Sequence, residues 1–323
     1  MKKLIVLLLC LAMALSLVAC GEDKDMSGSS PTATDRKLGL GSVQSVTMTD
    51  TANAGIKTTV AAVVLDKNGK ITDCKLDEMS FTVTLKEGIP QAVTEFLSKL
   101  ERGDEYLPTP EELGDNKTSN RSWEDQVEAF CDFVEGKTPG EVTGLAATDG
   151  KSEQIPGCDL IITDFIQAVD HAAMAAKGAA VDRDDDLELA LSAAPGEGTS
   201  QEKPAYTIEM AAVTMADDGK ITACMTDTLE TELSVAQGIF DTVSGMLKTK
   251  RQKGDDYGMK VASPIKREWY EQADAFDTYA VGKTASQLSA TPLGADGKTD
   301  SITGCTVSVS SVLKNVVKAA KED

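Results

Sequence analysis

Leu65-Asp-Lys-Asn-Gly-Lys-Ile-Thr-Asp-Cys74 and, 150 residues later, Met215-Ala-Asp-Asp-Gly-Lys-Ile-Thr-Ala-Cys224 are the two stretches whose reading decides the fold. Each follows a run rich in apolar and β-branched residues, TTVAAVVL at 58–65 and TIEMAAVT at 207–214. An Asp/Asn-Gly turn closing directly onto Lys-Ile-Thr is the pattern of a β-hairpin: strand, tight turn, strand.

Outward from the hairpins, the two halves continue to match. Gly103-Asp-Glu-Tyr106 pairs with Gly254-Asp-Asp-Tyr257, and Trp123-Glu-Asp-Gln126 with Trp269-Tyr-Glu-Gln272. Ala129-Phe130 pairs with Ala275-Phe276, and Gly136-Lys-Thr138 with Gly282-Lys-Thr284. The offsets run from 146 to 151 and keep their order, which predicts a duplicated domain rather than a short solenoid repeat. Trp123/Phe130 and Trp269/Phe276 recur seven residues apart, on one face of a helix, so helices are expected over 121–136 and 267–282, each ending at glycine. Core packing accounts for that aromatic face, with stacking on a planar ligand as the other use. A short strand and a final helix are expected after each Gly-Cys, the helices over 164–177 and 311–321. The fold class is therefore α+β: two tandem copies of an antiparallel sheet with helices packed on one side, at 37–177 and 188–323, with the acidic stretch 178–187 as linker.

The N-terminus predicts the compartment. Lys2 and Lys3 precede an apolar run over 4–18, shorter than the ~20 residues a spanning helix needs, so residues 1–19 read as a signal peptide. Leu17-Val-Ala-Cys20 resembles a bacterial lipobox, which implies acylation of Cys20 and anchoring on the outer face of the cell membrane. Residues 20–36 are small and polar and read as a flexible tether. Loss of Lys2 and Lys3 takes the formal charge from −20 to −22, which argues against nucleic acid as a partner.

Catalytic vocabulary is sparse. His171 is the sole histidine and reads as an exposed helix residue, too little for a triad or a histidine metal site. No Cys-x-x-Cys pair suggests a metal centre. Cys74 and Cys158 align with Cys224 and Cys305, so either one disulfide forms per copy, with Cys131 left over, or the thiols stay free and pack as small apolar groups.

One cluster stands out, Asp300-Ser-Ile-Thr-Gly-Cys-Thr-Val-Ser308, between the second hairpin and the last helix. With Asp300, Thr303, Gly304, Cys305, Thr306 and Ser308 it resembles the FMN-binding domain, whose pattern is Asp-x-x-Ser/Thr-Gly-Ala-Ser/Thr-x-Ser/Thr; Cys305 stands where Ala is usual. That family occurs in the flavinylated subunits of sodium-pumping NADH:quinone oxidoreductases and in surface lipoproteins of extracellular electron transfer. The resemblance implies FMN joined through its phosphate to Thr306 by a separate flavin transferase. It also implies redox partner proteins or extracellular acceptors, and an electron carrier rather than a substrate-turnover enzyme. A threonine hydroxyl needs an activating base and metal that this chain does not supply, which fits an external transferase. Gly304 is expected to let a phosphate approach the backbone. The first copy reads Glu153, Pro156, Gly157, Cys158 and Asp159 at the same places, and Asp159 forms no threonyl phosphoester. The alternative function is a non-redox ligand-binding or structural surface lipoprotein that has lost flavin.

Overall fold

The computed structural model describes residues 35–103, 105–114, 118–241 and 247–321; Cys20, the signal peptide and nearly all of the tether lie outside them. Three long strands open the first half: β1 (Arg36–Met48), β2 (Asn53–Leu65) and β3 (Ile71–Lys86). They are followed by β4 (Ile89–Pro90), α1 (Trp123–Val134), α2 (Pro139–Thr143), α3 (Thr163–Ala175) and β5 (Lys177–Ala179). The second half runs β6 (Asp186–Pro195), β7 (Ala205–Met215), β8 (Ile221–Glu232), β9 (Val235–Ala236), β10 (Ile239–Phe240), α4 (Lys250–Lys253), α5 (Met259–Ala262), α6 (Trp269–Ala280), α7 (Ala285–Ser289) and α8 (Ser310–Ala319). All pairings are antiparallel, in sheets ordered β4-β3-β2-β1-β5 and β6-β7-β8, with a separate β9–β10 ribbon.

The hairpin turns form for local reasons. Asp66 Oδ1 accepts the backbone N–H groups of Asn68 and Lys70, and Gly69 takes the left-handed conformation (φ 76°) that closes the turn. At the second turn Gly219 (φ 73°) plays the same part, Ala216 stands where Asp66 does, and Asp218 Oδ1 accepts the Lys220 N–H alone; a register shift sits just before each turn, at Val64/Leu65 and Thr214/Met215. The recurring Gly-Lys-Thr then ties helix to hairpin. Gly136 N donates to Ile71 O and Ile71 N to Lys137 O; Gly282, Ile221 and Lys283 repeat both bonds. The lysines lie over the Phe133 and Tyr279 rings, and Thr138 and Thr284 cap α2 and α7 with capping boxes.

The second part of β2, Val60 to Leu65, is wholly apolar because both of its faces are covered. Ala61, Val63 and Leu65 turn toward α1 and α3, joining Trp123, Phe130, Phe165 and Ala168. Val60, Ala62 and Val64 turn the other way and pack against Ile208, Met210, Ala212 and Met225 of the second sheet. The far face of that sheet, with Ala211, Val213 and Ile221, meets Phe276, Leu313 and Val316 of α6 and α8. The layers are thus helix, sheet, sheet, helix, and the described residues form one compact unit.

The structure adds to and adjusts these expectations. The face of each sheet turned away from its helices is buried against the other sheet, which the sequence reading did not anticipate. The expected linker, residues 178–187, packs on its surroundings: β5 pairs with β1, Val181 is buried in the core between the sheets, and Asp186 begins β6. No strand follows Gly157-Cys158 or Gly304-Cys305; those segments are irregular loops leading straight into α3 and α8. Of the two readings of the cysteines, the structure has the free one: Cys74, Cys131, Cys158, Cys224 and Cys305 are free thiols. Cys131 bonds the thiol of Cys74, and that bond, with burial, pushes its pKa well up; the partner of Cys224 in the second half is Asp277, at 3.9 Å.

Candidate functional site

A cavity of about 800 Å³ opens in the second half between the β7–β8 face, α6 and the loop before α8. Thr306 stands on its wall with Cys305 and Ser308. The loop is fixed by α6: Gln272 Oε1 accepts both the Thr306 backbone N–H (2.9 Å) and the Thr306 hydroxyl (3.1 Å). Gln272 is fully buried, and its Nε2 donates to Ser263 Oγ and Arg267 O. In the first half Gln126 Oε1 holds the Asp159 N–H at 2.8 Å, so the same clamp there presents a carboxylate where Thr306 presents a hydroxyl.

The remaining motif residues divide by position. Asp300 and Thr303 are exposed on the outer turn and, like Gly304, are not part of the cavity wall. Gly304 has φ +88°, and a Cβ there would lie 2.4 Å from Arg267 Nη1. Gly157 (φ +97°) meets Arg121 Nη1 in the same way at 2.6 Å. In both halves the left-handed turn favours glycine, with an arginine side chain packed over it. The side chain of Cys305 is buried in the core with Ile302 and Phe276, a place that suits a small apolar group. Burial raises the pKa of this thiol.

Sequence reasoning missed Glu209 and Lys250 on the cavity wall. Glu209 lies against the sheet, accepting hydrogen bonds from the hydroxyls of Thr228 and Ser311. Burial raises the pKa of its carboxyl, and those two bonds and Lys250 only partly oppose the rise. Lys250 pairs with Glu230 at 2.8 Å and lies over the rings of Tyr257 (5.2 Å) and Trp269 (5.4 Å). Burial alone lowers its pKa, but Glu230 outweighs that and holds it above the usual lysine value. Trp269 and Phe276 both serve the core and reach the cavity wall.

The corresponding space in the first half holds a closed ionic cluster. Lys99 is 2% exposed, pairs with Glu78 at 2.5 Å and with Glu112, and sits 5.0 Å from the centre of the Trp123 ring. Glu112 comes from residues 105–114, a stretch fastened to the loop before α3 by Ile161 N donating to Glu112 O. The cross-strand pair beneath is reversed between halves: Thr59 faces Glu78 in one, and Glu209 faces Thr228 in the other. That swap was present in the sequence as a difference between aligned positions.

His171 is not a plain exposed helix residue; its Nδ1 lies 2.8 Å from Ser42 O. No helix among the described residues is long and apolar enough to cross a membrane. Comparison with protein-family profiles, with curated proteins and with solved structures found no match.

Proposed function

We propose that the chain is a lipid-anchored extracytoplasmic flavoprotein that carries FMN on Thr306 and relays electrons at the cell surface. We further propose that its halves are copies of one FMN-binding-like unit, of which only the second keeps the site. The observation that carries this reading is the pairing of Thr306 with the large cavity of the second half, where the first half has Asp159 and the Lys99 cluster.

The residues present fit the group. The volume is in the range of cofactor sites, and the wall sets aromatic and apolar side chains beside a polar side rich in hydroxyls, carboxylates and the lysines Lys250 and Lys298. Thr306, with Ser308, Ser310 and Lys298 nearby on the wall, would hold the phosphate end; Trp269, Tyr257 and Met259 would flank the ring. When bound, FMN supplies one- and two-electron transfer. The chain's own part is to bind and orient. Gln272 keeps the Thr306 backbone in place after its hydroxyl is esterified, because the Thr306 N–H bond remains. Glu209 offers a carboxyl that burial keeps protonated to higher pH than usual, beside a cationic Lys250. Anchoring through Cys20 rests on the lipobox resemblance.

The test is the absorbance spectrum of protein purified from cells that also express a flavin transferase, followed by a denaturing gel. A yellow protein whose fluorescence survives denaturation supports the reading. A colourless, non-fluorescent protein from those cells contradicts it and favours a non-redox ligand-binding lipoprotein.

A further inference from the structure

The two halves carry a lysine, a tyrosine and a tryptophan in the same order and at matching offsets: Lys99, Tyr106 and Trp123 in the first, Lys250, Tyr257 and Trp269 in the second. Each lysine is set by the same device. Asp77 Oδ1 accepts the N–H of Leu100 at 3.1 Å and Asp227 Oδ1 that of Arg251 at 3.2 Å, so the chain just after each lysine is fixed to its sheet. The two ammonium groups then lie 5.0 Å from the centre of the Trp123 ring and 5.4 Å from that of Trp269.

The halves part at what meets the lysine. In the first, Glu112 Oε1 pairs with Lys99 Nζ and accepts the Tyr106 hydroxyl at 3.3 Å, while Glu112 Oε2 accepts the Thr109 N–H at 2.7 Å. Lys99 thus has two carboxylates, Glu78 and Glu112, and its side chain is 2% exposed. Glu112 comes from the stretch between Tyr106 and Arg121. The matching stretch of the second half, between Tyr257 and Arg267, reads Gly-Met-Lys-Val-Ala-Ser-Pro-Ile-Lys and contains no acid. Its Met259, Ser263 and Pro264 line the Thr306 cavity rather than fill it.

Lys250 and Tyr257 both stand on the wall of that cavity. The Lys250 side chain keeps 13% of its surface open, and the Tyr257 hydroxyl interacts with it. Among the described residues Lys250 has a single ion pair, with Glu230 at 2.8 Å, which leaves donors of its ammonium free. Glu209 does not supply the second carboxylate, because its oxygens accept from the Thr228 and Ser311 hydroxyls. We propose that the cavity contains a carboxylate subsite, in which Lys250 Nζ and the Tyr257 hydroxyl hold the carboxylate of a small ligand as Lys99 and Tyr106 hold Glu112. Trp269 and Met259 give the body of that ligand an apolar wall. The subsite does not rest on flavin. A flavin on Thr306 would share the Tyr257 and Trp269 wall, so the subsite belongs to the unmodified chain.

Saturation-transfer NMR titrations of the full chain, purified from cells without a flavin transferase, test this with benzoate and its neutral counterpart benzamide at constant ionic strength. Wild type is expected to bind benzoate about tenfold more tightly than benzamide, the effect of one charge-assisted hydrogen bond. Lys250→Met is expected to remove that preference. Tyr257→Phe, which keeps the ring and the lysine, is expected to weaken benzoate about fivefold and leave benzamide unchanged, and it decides the matter if Lys250→Met does not fold. Benzoate bound no more tightly than benzamide by wild type, or bound equally by wild type and Tyr257→Phe, would overturn the proposal without bearing on Thr306.

Discussion

Asp77 and Glu78 are neighbours on β3, both almost fully buried, yet their environments differ. Glu78 has Lys99 at 2.5 Å and the Thr59 hydroxyl at 2.8 Å. Asp77 has mainly N–H donors from Glu78 and Leu100, and burial pushes its pKa up to about 6. A carboxyl whose pKa is higher folded than unfolded binds its proton more tightly in the native state. Its stabilising effect is complete below about pH 4 and is lost as pH rises toward 6, by about 3 kcal/mol at most. Asp77→Asn should therefore flatten the stability-versus-pH curve between pH 4 and 6, measured by urea unfolding at each pH. An unchanged slope would show that Asp77 does not titrate in that window. At this scale the sequence displayed the motif residues but not their depth. Thr306 and Asp300 look alike as polar loop positions; only the clamp from Gln272, 34 residues away, turns one to the cavity and leaves the other on the outer turn.

Helix α3 rests directly on β1 because Gly39 and Gly41 have no side chains to hold it off. A Cβ at Gly41 would lie 2.1 Å from Ala172 N, and at Gly39 2.0 Å from Ala172 O, both rigid backbone atoms. Gly41→Ala should cost about 3 kcal/mol, the upper end of overpacking, read as a lower urea midpoint at unchanged m. A cost under 1 kcal/mol would mean that α3 shifts freely. The long elements were legible because their signals are local. The Asx-Gly turns, the seven-residue aromatic spacing and the Gly-Lys-Thr caps each act within a few residues. The β3–β4 and β9–β10 ribbons were missed: their turns are Glu87-Gly88 and Gln237-Gly238, where a non-glycine residue also takes positive φ (54° at both). The absent strand after each Gly-Cys was misread because Val307 and Val309 look β-prone, whereas those backbone groups bond to the neighbouring loop, Val309 N to Gly297 O.

The face-to-face sheets make the described halves mutually dependent. Leu38, Val60, Ala62 and Met79 of the first sheet share one buried cluster with Ile208, Met210 and Leu229 of the second. This layer could not be read from the sequence: runs such as Val60-Ala-Ala-Val-Val64 suit a strand buried on both faces, but they do not say what covers the second face. Urea unfolding of the whole chain should show one transition, and residues 35–179 alone should aggregate or bind ANS; a soluble, cooperatively folding first half would contradict a shared core. Within this frame one half keeps an open cavity beside a threonine, and the other holds its counterpart shut with Lys99. The central claim, that Thr306 carries FMN, is tested most directly by the intact mass of protein co-expressed with a flavin transferase. The account predicts one added FMN less one water on the wild-type chain and none on Thr306→Ala; an unmodified wild type, or an adduct that survives the substitution, would contradict it.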